Sequence, residues 1–314
     1  MVRFIAGIIT LYLGFFLPAI ATPVVTDNVP KKVIKQAGFR VGVTQIPMFT
    51  LASALAYGSP VETLLIEKDK QGRWQIPANL MVIFWTGTSL EPELGKHLAQ
   101  SEQASVTLIE AAGIQQLAKR TPADWKVLTE DDDPHMESLG KGYGMVQTIR
   151  AEGVVDTNYW LDPLNAMAAL EAIKTIFQGV DNKNHWAYQA NSDQIVQALW
   201  EQDIQVSKLM HDVSNQAFVV LDDEFQYLEQ RYRLITVPAG GSTQDIVNKA
   251  KARGAKCVVA TQPMGQKLVS ALDQASLNSV ILDPAGHQMP RTTGAYFKWF
   301  GNMITKLNRC MTGS

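Results

Sequence analysis

The stretch WAYQANSDQIVQALWEQDIQVSKLMHDVS at residues 186–214 decides the fold, because it is the longest helical pattern in the chain. At 1.5 Å per residue it predicts a rod of roughly 43 Å, longer than one small lobe requires. We therefore predict one helix that runs across two lobes and joins them. Two shorter helices with a break between them are the alternative. Neither proline nor glycine interrupts the pattern, and apolar residues recur on one face at 100° per residue: Ile195, Leu199, Val206, Met210 and Val213.

Strand-like runs alternate with helical patterns on both sides of this helix. LMVIFW at 80–85 is almost continuously apolar, which is typical of a parallel strand covered on both faces. The alternation predicts an α/β fold with two similar lobes and central, mostly parallel sheets. We divide the chain into a first lobe at 22–184, a linking helix at 185–215 and a second lobe at 216–314. The predicted strands are 39–43, 61–66, 80–85, 106–109, 218–221, 234–237, 257–260 and 279–282.

Two acidic residues follow predicted strands of the second lobe. Asp222 comes directly after one strand and Asp283 directly after another. Ligands of open parallel sheets bind beyond the carboxyl ends of the strands. We therefore expect both carboxylates to face a ligand between the lobes.

The first residues predict export from the cytoplasm. Arg3 precedes an almost wholly apolar run at 4–16, and Pro18 is followed by AIA at 19–21, the small-x-small pattern of a cleavage site. The run is shorter than the ~20 residues that a membrane span needs, which favours a cleaved signal peptide at 1–21 over an anchor. No later apolar stretch reaches spanning length, so we expect a soluble mature chain in an oxidising compartment.

Composition narrows the function classes. The chain has 28 Lys+Arg against 30 Asp+Glu, so it lacks the basic excess of a nucleic-acid-binding protein. Two cysteines cannot form a four-thiolate zinc site. In an oxidising compartment an even count favours a Cys257–Cys310 disulfide over two buried thiols. We predict no enzyme, because GGSTQ at 240–244 lacks the last glycine of a nucleophile elbow and no phosphate loop or metalloprotease helix is present.

Several motifs in this order resemble one family over essentially the whole mature chain: the periplasmic solute-binding proteins of zinc and manganese ABC importers. The resemblance implies a periplasmic monomer that holds a divalent metal between two lobes, with an ABC permease and its ATPase as partners. It also implies the Cys257–Cys310 disulfide of the zinc-type branch. The motifs are VTQIP at 43–47, VETLL at 61–65, VIFWTG at 82–87 before LEP at 90–92, WLDPLNA at 160–166, FVVLDDEF at 218–225, and LDPAG at 282–286.

The family holds its metal with typically three histidines and one acid. In this sequence the acid falls on Asp283, one histidine position on Asn158, and the second-lobe histidine on Asp222. The first-lobe loop at 67–77 is shorter than usual and has no histidine, and an acidic run at 130–133 replaces a histidine-rich loop. None of the five histidines lies at a family ligand position. The resemblance therefore implies a degenerate metal site in which only Asp283 keeps the ligand type.

The altered site offers oxygen atoms only. Asn158, Asp222 and Asp283 suit manganese, magnesium or calcium better than zinc, which prefers imidazole and thiolate ligands. The sequence does not specify a fourth ligand, for which the candidates are Glu67, Asp69, Gln71 and His287.

Three cations occupy the shortened loop: Lys68, Lys70 and Arg73. They either point to solvent or repel a metal and form an ion pair with Asp222 or Asp283. We therefore expect the solute-binding component of a divalent-metal ABC importer, with zinc or manganese as the transported ligand. The alternative is the same fold with high-affinity metal binding lost, acting as a partner protein or binding another small solute.

Overall fold

The computed structural model describes residues 38–120 and 154–313, which form two α/β lobes joined by a long helix. The predicted signal peptide at 1–21 and the acidic run at 130–133 lie outside the described residues. Within the part of the chain that is described, no helix is both long and apolar enough to cross a membrane.

The first lobe is built on a four-stranded parallel sheet in the order β2-β1-β3-β4. All four residues of β3 are buried, as the apolar run at 80–85 predicts. The strands are β1 (Arg40–Val43), β2 (Glu62–Leu65), β3 (Val82–Trp85) and β4 (Ser105–Thr107). The helices are α1 (Ile46–Leu55), α2 (Pro92–Ala99) and α3 (Pro163–Val180).

The second lobe repeats this topology with the order β6-β5-β7-β8, again all parallel. The equal strand order confirms the prediction of two similar lobes. The strands are β5 (Ala217–Val220), β6 (Ile235–Pro238), β7 (Cys257–Ala260) and β8 (Asn278–Ile281). The helices are α5 (Gln226–Tyr232), α6 (Thr243–Ala252), α7 (Gln266–Gln274) and α8 (Ala295–Thr312).

The linking helix α4 (His185–His211) is continuous over 27 residues, so the alternative of two broken helices is wrong. Near its start, Asn191 Nδ2 donates to the carbonyl of Leu55 at 2.9 Å, in the first lobe. Further along, Gln202 Nε2 donates to the carbonyl of Phe297 at 2.7 Å, in the second lobe. The helix therefore connects both lobes, while the boundaries at 22–184, 185–215 and 216–314 stay a prediction.

A helix cap and a disulfide stabilise the two lobes locally. Helix α3 begins at Pro163, and the Asp162 carboxylate caps it by accepting the Leu164 N–H at 2.8 Å. A disulfide between Cys257 and Cys310 ties the start of β7 to the last turns of α8, which confirms the predicted pair. The disulfide holds α8 against the second sheet.

Candidate metal site between the lobes

Asp283 lies just beyond the carboxyl end of β8, where the sequence places it. One carboxylate oxygen accepts the His287 N–H at 3.0 Å and the other accepts the Gln288 N–H at 2.8 Å. The His287 ring is exposed, and its Nδ1 lies 3.4 Å from Asp283 Oδ1. Asp283 therefore closes the loop that follows its own strand.

Asp222 lies beyond the carboxyl end of β5 and is bonded within the second lobe. Its Oδ2 accepts both the backbone N–H and the hydroxyl of Thr261, each at 2.9 Å. Thr261 directly follows β7, so these bonds connect the ends of two neighbouring strands. In this arrangement Asp222 supports the shape of the second-lobe edge.

Asn158 is buried and bonds directly across to the second lobe. Its Nδ2 donates to Glu224 Oε2 at 2.5 Å and to the Glu224 carbonyl at 3.1 Å. Its backbone N–H donates to Asp156 Oδ1 at 3.0 Å. The Asn158 side chain is therefore a cross-lobe hydrogen-bond donor.

The three predicted residues share no hydrogen bond with one another. Residues 38–120 and 154–313 contain no group of three or more His, Cys, Asp or Glu side chains placed to hold an ion. Among the candidates for a fourth ligand, Asp69 accepts the Gln71 and Arg73 N–H groups of its own loop, each at 2.9 Å. These backbone bonds lower the pKa of Asp69, with the one from Arg73 contributing most.

The cations of the shortened loop pair locally. Lys68 lies 3.3 Å from Glu93, and Arg73 lies 2.8 Å from Asp69. The alternative that they pair with Asp222 or Asp283 is wrong for Lys68 and Arg73, which are exposed, as the other alternative predicts, and pair with carboxylates of the first lobe. Lys68 also lies over the ring of Trp74, 5.0 Å from its centroid, so this tryptophan packs within the first lobe.

Arg120 is a half-buried cation that reaches across the lobes, and the sequence did not single it out. Its Nε donates to Asp223 Oδ1 at 2.9 Å, and its Nη1 donates to Glu229 Oε2 at 2.7 Å. Burial lowers the pKa of Arg120, but the hydrogen bonds to Glu229 and Asp223 outweigh it and hold the pKa above its usual value. Burial also raises the pKa of Glu229, which Arg120 partly offsets. No motif marks Arg120, which lies at the end of the stretch that follows β4.

Tyr227 adds neutral bonds beside this cation. Its hydroxyl accepts the Leu117 N–H at 3.1 Å and donates to the Asp156 carbonyl at 3.0 Å. Asp156 is buried, and its Oδ2 has no hydrogen-bond partner among the described residues. Burial raises the pKa of Asp156 to about 7, although the Asn158 N–H lowers it. The cleft therefore holds an acid-rich cluster whose counter-charge is Arg120.

The chain matches a known family and curated relatives. The model of the family "Zinc-uptake complex component A periplasmic" (ZnuA) matches residues 78–310. The high-affinity zinc uptake system protein ZnuA of Brucella suis biovar 1 (strain 1330) is 25% identical over 313 residues, covering 88% of this chain and 93% of the relative. The protein of the same name from Brucella melitensis biotype 1 matches with the same identity and coverage.

Solved structures share the architecture. A FpvC mutant from Pseudomonas aeruginosa has a TM-score of 0.66 at 15% identity, covering 88% of this chain and 100% of that one. A crystal structure of ZnuA has a TM-score of 0.63 at 15% identity, covering 87% and 99%. These likenesses show the two-lobed fold, and the family model spans most of the sequence. The chain therefore belongs to the ZnuA family, the periplasmic component A of zinc-uptake complexes.

Proposed function

We propose that this chain is the extracytoplasmic solute-binding component of a divalent-metal ABC importer, with zinc or manganese held between its lobes. Family membership over residues 78–310 is the observation that carries this function. The protein works in the periplasm, and its partners are an ABC permease and the ATPase that drives it. The two lobes, each built on a parallel sheet, are joined by one helix. Periplasmic binding proteins close two such lobes around the ligand that they deliver.

The metal-binding residues that we propose are Asn158, Asp222 and Asp283. Both side-chain hydrogen bonds of Asn158 use Nδ2, so Oδ1 is the atom that would bind an ion. The two carboxylates lie beyond the ends of β5 and β8, at the edge where ligands of parallel sheets bind. Manganese prefers oxygen ligands, whereas zinc prefers imidazole and thiolate ligands, so these three oxygen donors favour manganese.

A titration with a matched control tests this assignment. Metal-free mature protein is titrated with manganese and with zinc by calorimetry, and we expect saturable binding at one site. Asp283→Ala should weaken that binding by at least about tenfold, since even residues behind a metal ligand contribute 10–100-fold. Asp273→Ala, which removes an exposed acid in the same lobe, should leave it unchanged. Equal weakening by both substitutions would show that only net charge matters.

A second candidate keeps the fold without high-affinity metal binding. It is favoured by the engaged carboxylates and by the lack, within the described ranges, of three grouped metal-ligating side chains. Such a chain would act as a partner protein or bind another small solute. For this second candidate we expect no heat of binding in calorimetry and no change in melting temperature with zinc, manganese, iron or cobalt.

We also propose that the chain is non-catalytic and monomeric. Family membership supports both parts of this proposal. Light scattering of the mature protein tests the monomer, and a mass twice that of one chain would contradict it.

A further inference from the structure

Several direct hydrogen bonds between the lobes involve one segment of the second lobe, residues 223–229. Others join Trp160 to the Pro284 carbonyl and Tyr296 to the Trp160 carbonyl. The bonds at residues 223–229 are made by the side chains of Arg120, Asn158 and Tyr227, and we call this set with its partners the cross-lobe latch. The partners are Asp223, Glu224, Glu229, the Leu117 N–H and the Asp156 carbonyl.

We propose that Arg120 holds the two lobes together, with its guanidinium supplying between them the positive charge that a bridging ion would supply. It is a positioning residue for the lobes, and it makes their closed arrangement independent of cargo. The inference goes beyond the proposed function and does not require that a metal is bound.

The geometry of Arg120 suits this role. Its two Nη atoms meet the two carboxylate oxygens of Glu229 at 2.7 and 3.2 Å, which is the bidentate pairing that gives arginine its directional strength. Nε and Nη2 also donate to Asp223. The side chain is 23% exposed and its partners 12% and 9%, so solvent screens these pairs only weakly. An arginine stays charged at any relevant pH, so the bridge is permanent.

Other charged contacts do not replace it. Arg291 also crosses the lobes, at 3.2 Å from Glu67, but the two side chains are 38% and 60% exposed. Exposed pairs of this kind contribute little to stability, because water and salt screen them. Arg231 pairs chiefly with Asp203 of the linking helix, so it acts where the lobes join. Arg120 therefore makes a less exposed cation bridge between the lobes than Arg291 does.

The contacts beside Arg120 also hold the two lobes together. Asn158 binds Glu224, and Glu224 lies one residue after Asp223, so two first-lobe side chains bind consecutive acids of one turn. Tyr227 joins the same segment to Leu117 and Asp156 through neutral bonds. A lobe that swung open would have to break charged and neutral bonds together, leaving buried carboxylates without partners.

Solution scattering and hydrogen exchange test the latch in the full mature protein. Wild type should keep the same radius of gyration in EDTA, in excess zinc and in excess manganese. Arg120→Gln should have a larger radius of gyration in EDTA. Its Leu117 amide, which donates across the lobes to Tyr227, should exchange at least about tenfold faster, equal to about 1.4 kcal/mol.

Two further variants make the result decisive. Arg40→Gln removes a cation whose partners Glu62 and Ala78 both lie in the first lobe, and it should behave as wild type. Glu229→Gln keeps the side-chain size, removes one carboxylate charge and should accelerate Leu117 exchange in the same direction, which covers an Arg120 variant that fails to fold. A wild-type protein that expands in EDTA and contracts with metal would overturn the proposal. Metal binding with unchanged scattering supports the latch and leaves the transport function intact.

Discussion

Replacing Arg231 with glutamine tests the buried ion network where the lobes join. Arg231 of α5 donates through Nε to Asp203 Oδ1 at 2.9 Å and lies 3.7 Å from Asp162 Oδ1. Asp203 belongs to the linking helix α4, and Asp162 caps α3. The substitution therefore removes a positive charge shared by two carboxylates from different elements.

The burial of these carboxylates sets the size of the effect. The side chains of Asp203 and Asp162 are 4% and 9% exposed. Removing one partner of a buried ion pair costs ~3–5 kcal/mol, because the remaining charge is left uncompensated. The Tyr232 hydroxyl still donates to Asp203 at 3.0 Å, so we expect a loss of unfolding free energy near the lower end, about 3 kcal/mol.

The deficit should depend on pH in a definite direction. Burial raises the pKa of Asp162 to about 6, although Arg231 lowers it. Because this value exceeds the unfolded pKa of about 3.9, the contribution of Asp162 to stability is present at low pH and lost as the pH rises through about 6. Without Arg231 the pKa of Asp162 rises further. The difference between variant and wild type should be largest at pH 8 and narrow towards pH 5.

Urea unfolding followed by circular dichroism at several pH values measures both effects. Arg40→Gln is the control, because Arg40 and Glu62 are 35% and 57% exposed and should contribute less than about 1 kcal/mol. A deficit for Arg231→Gln below about 1 kcal/mol at pH 8, or one that grows as the pH falls, would refute the reasoning.

Three further changes test separate parts of the fold. Replacing both Cys257 and Cys310 with alanine should lower the free energy of unfolding by about 4 kcal/mol for a separation of 53 residues, and reduced wild type should unfold at the same urea concentration. Gly42→Ala should cost about 1–3 kcal/mol, because its Cβ would lie 2.3 Å from Ile66 Cδ1; a neutral result in thermal unfolding would contradict this packing. Ser242→Ala removes the side chain that caps α6 and should cost about 1 kcal/mol in urea, with no change in any metal titration.

The alternation of strand-like and helical patterns predicted the architecture, because the periodicity of each element is encoded in its own short segment of sequence. All eight predicted strands are present, within a residue or two at their ends. Helix α3 was not predicted, although Asp162 and Pro163 are a typical helix start. This helix packs against other elements on more than one face. Its sequence therefore lacks the clear separation of apolar and polar faces that marks a surface helix.

The candidate site was only partly predictable. Asp222 and Asp283 lie at the carboxyl ends of strands because parallel topology determines which end of a strand meets the cleft. Arg120 escaped prediction because its partners Asp223 and Glu229 lie 103 and 109 residues further along the chain. An ion pair of that span has no local periodicity, and only the packing of the lobes brings the residues together.

The amino-acid sequence alone determined the α/β class, the linking helix and the paired cysteines, since each depends on residue type or short-range spacing. Tertiary structure alone decided which partners the predicted site residues have. Asn158 meets Glu224 rather than Asp222, and Asp283 bonds its own loop. Arg120 lies between the lobes because their packing places it against buried carboxylates, where an unpaired charge is costly.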